Sequence, residues 1–420
     1  MCLACASTHL LNSGHPNVDV RQCPLSLKKW WTTSISPRQV VLGLTIDTNR
    51  MTVGLPQEYR DQVKKLLHKW PKNRKLFRAA DMQKLIGKIA RLGEGAPWIF
   101  KIMLHLYTSL AYALQTSKRL LESSSKKFRT VIAQIERKQF IIESNETARE
   151  INFALKTAAR MVNLSKTFFP INKSMREELD FIRQALEHDS GINFETPIAF
   201  LILRTPTALA FGDSSLLACG GYSTEFKFWW HLAFPEMIIA RTLLHIKNKK
   251  DGRFISINVL EYVTVILNYC GSLVALNQNN GLTSNPHPMV LCVTDNICAK
   301  NWTLHTSKKS IIGRALARFF CGLLINSRLG INAKWISTHT NIIADNISRL
   351  KDSTANSPSL PPTYDFTTLK QNHKELQTCR FYQPSHKLLS FIWEILLTKQ
   401  CPALSQIRIL EPADLGKLSI

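Results

Sequence analysis

In TALAFGDSSLLACGGYSTEFKFWWHLAF, residues 207–234, three runs of strand-forming residues follow one another. Thr207–Gly212 reads as a strand that runs into Asp213-Ser214-Ser215, Ala218–Ser223 as a second strand, and Phe226–Phe234 as an aromatic third. Branched and aromatic runs broken by short polar turns are the pattern of consecutive strands in one sheet. A basic insertion (Arg241–Arg253) comes next. The helix predicted over Ile257–Leu273 places Val259, Leu260, Val263, Ile266 and Leu267 on its apolar side. Met289–Thr294 reads as a fourth strand ending at Asp295-Asn296, Ile311–Arg328 as helical, Ile331–Ser337 as a fifth strand and Asn341–Leu350 as a closing helix. That order predicts a mixed five-stranded sheet packed with helices, a fold of the α+β or α/β class.

Upstream, Gln39–Pro56 reads as two short strands around Asp47-Thr48-Asn49-Arg50. Residues 57–130 look helical. Val63, Leu66, Leu67 and Trp70 fall at helical spacing before Pro71, which stops that helix. After Asp81, the residues Met82, Leu85, Ile86 and Ile89 share one face, with Lys84, Lys88 and Arg91 elsewhere. Further helical patterns cover Phe128–Glu143, Thr147–Asn163 and Met175–Glu187, and Gly191–Ile198 leads into the next unit. Downstream, 352–370 is a Ser/Pro/Thr linker, and 371–420 reads as a small helical tail whose apolar stretch, Leu388–Leu397, ends before Pro402. The expected organisation is therefore 1–56, a terminal hairpin region; 57–130, a basic helical region; 131–200, a helical connection; 201–351, the sheet domain; then linker and tail.

The 420 residues carry 54 Lys and Arg against 30 Asp and Glu, a formal charge of +24. Such an excess excludes an acidic solvating protein and points to a polyanionic partner. Half of it is concentrated: Pro56–Thr130 holds 17 basic and 5 acidic residues. One basic helix is ordinarily a solvated face, but this density predicts a surface for nucleic-acid backbone. Ten cysteines are too few for a disulfide scaffold, and Cys270, Cys292 and Cys321 sit in apolar runs. A reducing, intracellular compartment, cytoplasmic or nuclear, is expected. No signal peptide is visible. The best membrane candidate, Pro97–Leu114, carries Lys101 and His105, so no membrane partner is expected.

Four acids stand at pointed places: Asp213 after a strand, Glu261 on a helix, Asp295 at a strand end and Asp345 on the closing helix. Alone, each has an ordinary reading. Asp295 fits a helix N-cap, and Glu261 fits a solvent-facing position. Together they are what two hard cations need, since Mg²⁺ takes oxygen ligands and two such ions stabilise both oxygens of a phosphoryl displacement. Cys2, Cys5, His9 and His15 fit no standard zinc spacing. Gly220-Gly221 lacks the Lys-Ser/Thr of a phosphate loop and reads as a strand turn or a tight approach to a neighbour.

The segments AFGDSS (210–215), GGYS (220–223), NVLEYVTV (258–265), CVTDN (292–296), KWISTH (334–339) and NIIADNISR (341–349) resemble the ribonuclease H domain of retrotransposon polyproteins. VLGLTIDT with MTVGLP, and LFRAADMQKLIGKI, resemble the palm-to-thumb hairpin and thumb of a reverse transcriptase, in the style of tyrosine-recombinase (DIRS-like) elements. The resemblance implies hydrolysis of the RNA strand in RNA–DNA hybrids with two Mg²⁺ (or Mn²⁺) ions. It casts Asp213, Glu261, Asp295 and Asp345 as metal-binding catalytic acids and His339 as an assistant in proton transfer. Ser214 and Asn258 become minor-groove contacts, and Lys84, Lys88 and Arg91 backbone contacts. Other segments of the polyprotein are implied partners. No Asp-Asp pair occurs, and about 40 residues precede the hairpin, so the chain reads as a truncated fragment without polymerase activity. Two rivals stand beside this reading. One is a non-catalytic nucleic-acid-binding remnant. The other is a transposase or integrase, which needs a Glu on a helix after the second Asp, and none occurs from Asn296 to Asn372.

Overall fold

The computed structural model describes residues 36–41, 43–124, 167–187, 194–202, 204–247, 255–278, 287–325, 327–350 and 366–419. The helical patterns Phe128–Glu143 and Thr147–Asn163, the four N-terminal Cys and His residues and the linker up to residue 365 lie outside them.

β1 (Arg38–Val41) pairs antiparallel with β2 (Leu44–Asp47), and β2 with β3 (Thr52–Gly54), so the expected two strands are three. The Asp47 carboxylate closes the second turn by accepting from the Arg50 amide at 2.9 Å. α1 (Gln57–His68) ends two residues before Trp70-Pro71, as Pro71 requires. β4 (Leu76–Arg78) leads into α2 (Ala79–Gly95), which buries Met82, Leu85, Ile86 and Ile89 on the expected face. A 3₁₀ turn, Pro97–Ile102, precedes α3 (Leu104–Ser124). β5 (Phe168–Pro170) pairs with β4, α4 (Lys173–Glu187) packs Met175, Leu179 and Ile182 into the core of α1 and α2, and β6 (Glu195–Pro197) adds to β3. The described part of 131–200 therefore shares one core with the basic helices. A one-turn helix, α5 (Ile198–Leu201), follows.

β7 (Ala208–Ser214), β8 (Ala218–Ser223) and β9 (Phe228–Ala233) form the antiparallel run read from the sequence. Much of the expected insertion is helical: α6 spans Glu236–Lys247. α7 (Ile257–Gln278) is longer than predicted and buried nearly all round. It, and not Pro97–Leu114, is the described helix long and apolar enough to cross a membrane, and 89% of its apolar window is buried inside this fold. It is apolar on every side because the sheet covers one face and other helices the rest. β10 (Met289–Thr294) lies parallel to β7, followed by α8 (Ile297–Leu304) and α9 (Ile311–Leu324). β11 (Gly330–Trp335) lies parallel to β10, and α10 (Ile342–Ser348) follows it.

The tail corrects the predicted architecture. After α11 (Phe366–Asn372), within what read as linker and tail, β12 (Arg380–Pro384) pairs parallel with β9. α12 (His386–Thr398) is the predicted apolar stretch, and α13 (Leu404–Arg408) and α14 (Pro412–Leu415) lead to β13 (Gly416–Ser419), antiparallel to β12. The sheet is thus a mixed one of seven strands, not five, in the order β11-β10-β7-β8-β9-β12-β13. The tail is not a purely helical module but the sheet's far edge. Tyr382, Leu388, Ile392, Ile395 and Leu396 are wholly buried in the core built on α7 and α9.

Candidate metal centre

β7, α7 and β10 bring three carboxylates to one end of the sheet. Single oxygens of Asp213, Glu261 and Asp295 all lie within 4.8 Å of one another. Among the described residues this is the one group of three or more acid, His or Cys side chains so placed. β7 and β10 are parallel neighbours, so their C-terminal ends fall side by side. Glu261 reaches them from the second turn of α7, and close contact between helix and sheet is possible because Gly212 and Gly221 are cross-strand partners beneath it. A Cβ on Gly212 would lie 2.6 Å from Asn268 Nδ2, and one on Gly221 would overlap Asn268 Oδ1. Gly221, of the Gly220-Gly221 dipeptide, is therefore at a tight approach to a neighbour, one of the two readings the sequence allowed. Gly220 makes the same allowance on the other face, for Ile347 of α10.

Asp213 is 6% exposed and Glu261 4%. Burial pushes the Asp213 carboxyl up to about 6; the bond from Ser348 opposes this, while the charges of Asp295 and Asp345 add to it. Burial, then the Asp213 and Asp295 charges, hold Glu261 well above the usual carboxylate range, against hydrogen bonds from the Ser214 amide and the Thr294 hydroxyl. Glu261 Oε1 accepts from Ser214 N at 3.3 Å, and Glu261 Oε2 has no hydrogen-bond partner. Asp295 is not the helix cap. Asn296 takes that role, its Oδ1 accepting from Ala299 N at 3.0 Å, which leaves the Asp295 carboxylate for the cluster. Trp335 Nε1 fixes the Asp295 backbone carbonyl at 2.8 Å. Glu261 is likewise not solvent-facing.

The fourth predicted acid stands beside the cluster, outside the 4.8 Å group. Asp345 Oδ1 accepts from Arg349 Nη2 at 2.7 Å and Nε at 2.9 Å. His339 is exposed on the 3₁₀ turn Thr338–Thr340. Ser214 is buried and spends its amide on Glu261 and its hydroxyl on the Ser215 carbonyl. Asn258 Oδ1 accepts from Asn296 Nδ2 at 2.9 Å. Of the predicted basic contacts, Lys84 is exposed, Lys88 lies over the Tyr59 ring and 3.2 Å from Gln62 Oε1, and Arg91 pairs with Glu94 at 3.4 Å.

Three supporting residues escaped the sequence reading. Ser348 Oγ donates to Asp213 Oδ2 at 2.7 Å. Buried Asn341 donates through Nδ2 to the Gly212 carbonyl at 3.1 Å, tying α10 to β7. Arg349 holds Asp345. All three lie inside the NIIADNISR segment, so their signal was present but their partners were not.

No protein-family model matches the chain, and no curated protein matches it. Among solved structures it is similar to the foamy viral protease-reverse transcriptase in complex with RNA/DNA hybrid, at 11% identity and a TM-score of 0.20, over 78% of this chain and 32% of that one. It is also similar to the foamy viral protease-reverse transcriptase dRH in complex with double-stranded DNA, at 10% identity and a TM-score of 0.19, over 71% of this chain and 38% of that one. The chain thus spans about a third of the length of these structures.

Proposed function

We propose that this chain is a ribonuclease H-type endonuclease that hydrolyses the RNA strand of RNA–DNA hybrids, as part of a retroelement polyprotein. The observation that carries the reading is the buried three-carboxylate cluster with an orphaned oxygen, Glu261 Oε2. Buried carboxylates repel one another and lose hydration, so such a group is stable in ionised form only with a cation. An all-oxygen donor set suits hard cations such as Mg²⁺ or Mn²⁺ better than zinc, which favours His and Cys ligands. The strand and helix order from β7 to α10 is the one read from the sequence pattern, with α6 added, and it supports the assignment.

Asp213, Glu261 and Asp295 would hold the cations, with Asp345 completing the set. When bound, two such ions supply charge stabilisation to the attacking and leaving oxygens of the phosphodiester. The chain's own residues fix that geometry. Ser348 orients Asp213, Ser214 N orients Glu261, and the Asn296 cap frees Asp295. The basic α1–α3 region would supply affinity for the hybrid backbone through phosphate contacts.

The test is cleavage of a labelled RNA–DNA hybrid in Mg²⁺ by the full chain. Wild type and Glu58→Gln, an exposed acid on α1, should cut. Asp295→Asn should lose cleavage while remaining folded and binding hybrid. If folded wild type binds hybrid but does not cut in Mg²⁺ or Mn²⁺, the reading as a non-catalytic nucleic-acid-binding protein replaces this one.

A further inference from the structure

The C-terminal end of α10 and the residue that caps it present two acids' partners side by side, and they act in opposite senses. Ser348 donates to Asp213 and keeps it in the cluster. Arg349 places Nε and Nη2 on one oxygen of Asp345, and Asp345 is outside the cluster. The helix itself is pinned. Asn341 bonds the Gly212 carbonyl, and Ile347 packs on Gly220 so closely that no Cβ fits there. What remains adjustable is the Asp345 side chain. It is already near, since Ser348 Oγ lies 2.7 Å from Asp213 Oδ2 and 2.9 Å from the backbone carbonyl of Asp345.

The pair is also weakly held. The Arg349 side chain is 54% exposed and that of Asp345 27%. An ion pair one helical turn apart whose guanidinium is half exposed gains little, because water screens it and both side chains lose freedom. A divalent cation held by three buried carboxylates is a far stronger competitor for the fourth.

We propose that Arg349 is a positioning residue that latches Asp345 away from the Asp213–Glu261–Asp295 cluster, so that Asp345 joins the ligands only when its ion pair opens. The latch spares the empty site a fourth uncompensated charge and sets the cation concentration at which the site fills. The inference rests on the reading of the cluster as a cation site.

A double-mutant cycle on the full chain tests it, with Mn²⁺ titrated calorimetrically in the absence of nucleic acid. Arg349→Gln should bind Mn²⁺ about ten-fold tighter, the size of effect typical for groups that orient metal ligands. Arg349→Lys, which keeps the charge and loses the fork, should fall between wild type and Arg349→Gln. In an Asp345→Asn background the gain from Arg349→Gln should vanish, because there is no carboxylate to release. A gain that persists undiminished in that background means Arg349 acts only as a distant charge, and the latch is wrong. No gain in either background also overturns it. If Asp295→Asn abolishes Mn²⁺ binding in these same experiments, the cation site stands whatever happens to the latch. If neither wild type nor any variant binds Mn²⁺, site and latch fall together.

Discussion

At the scale of single residues, the buried carboxylates of the cluster cost the fold stability as pH rises. Asp213 carries its proton up to about pH 6 in the cation-free fold, well above an unfolded aspartate at about 4. The sign follows from linkage: below pH 4 both states are protonated and there is no penalty. Between about pH 4 and pH 6 the unfolded state releases its proton first, so stability falls as pH rises. The loss for Asp213 alone is about 3 kcal/mol, by the free energy of a pKa change of this size. Glu261 adds to it in the same direction. Urea unfolding in EDTA should therefore show declining stability across that window, and Asp213→Asn should flatten the decline. An unchanged slope in the mutant would place the titration elsewhere. If the cluster takes a cation as proposed, the same protons must leave on binding, so Mg²⁺ affinity should weaken as pH drops through 6, read as proton release in calorimetry in buffers of different ionisation enthalpy.

At the scale of elements, the site depends on how closely α7 lies on the sheet. Asn268 is two turns along α7 from Glu261; its Oδ1 accepts from Trp230 Nε1 at 2.8 Å, over the Gly212–Gly221 pair. Gly221→Ala would drive a methyl group into Asn268 and to 2.6 Å from the Phe211 carbonyl. Overpacking of this kind costs on the order of 1–3 kcal/mol and would shift the helix that carries Glu261. Gly87 is the contrast, because nothing lies within 4 Å of its added Cβ in α2. Gly87→Ala should stabilise by about 0.5–1 kcal/mol, from helix entropy alone. Thermal melts of the two mutants should move in opposite directions, and cleavage should drop only in Gly221→Ala. This contact also marks where the sequence stopped being legible. Asp213, Glu261 and Asp295 were readable because each sits on a strongly patterned run: AFGD, NVLE, CVTD. Asp345 with Arg349 at i, i+4 is a pair that spacing alone permits. The partners across the fold left no local trace. β4, β5 and β6 are three residues each, and β4 pairs with β5 across some ninety residues. Nothing in LFR or FFP specifies that pairing. β12 was missed for a related reason: RFYQP ends in Pro and pairs with β9 over only two positions. The α12 apolar run was legible as a helix, but its burial against α9 was not.

At the scale of the whole molecule, the last fifty residues are structural to the site's own body. α12 alone places Leu388, Ile392, Ile395 and Leu396 fully inside the core of α7 and α9. Burial of each is worth about 2 kcal/mol, so four come to about 8 kcal/mol. That is comparable to the whole stability of an ordinary domain. The segment also reaches the other core. Leu404 is buried among the α1–α4 side chains, and its amide donates to Gln184 Oε1 at 3.0 Å. Arg318 of α9 crosses the same boundary to Glu177 of α4 at 2.9 Å. A unit bounded at 201 and 351, as the sequence pattern suggests, would keep every acid of the site and lose this packing. Residues 201–351 produced alone should therefore be insoluble or molten, with weak near-ultraviolet dichroism, whereas the full chain should be folded and should bind Mn²⁺. Leu396→Ala in the full chain gives the graded version, a loss of about 2–5 kcal/mol with the carboxylates untouched. If 201–351 unfolds cooperatively and binds Mn²⁺ as tightly as the full chain, then β12, α12 and β13 are an appendage to a self-sufficient domain, and the packing argument fails.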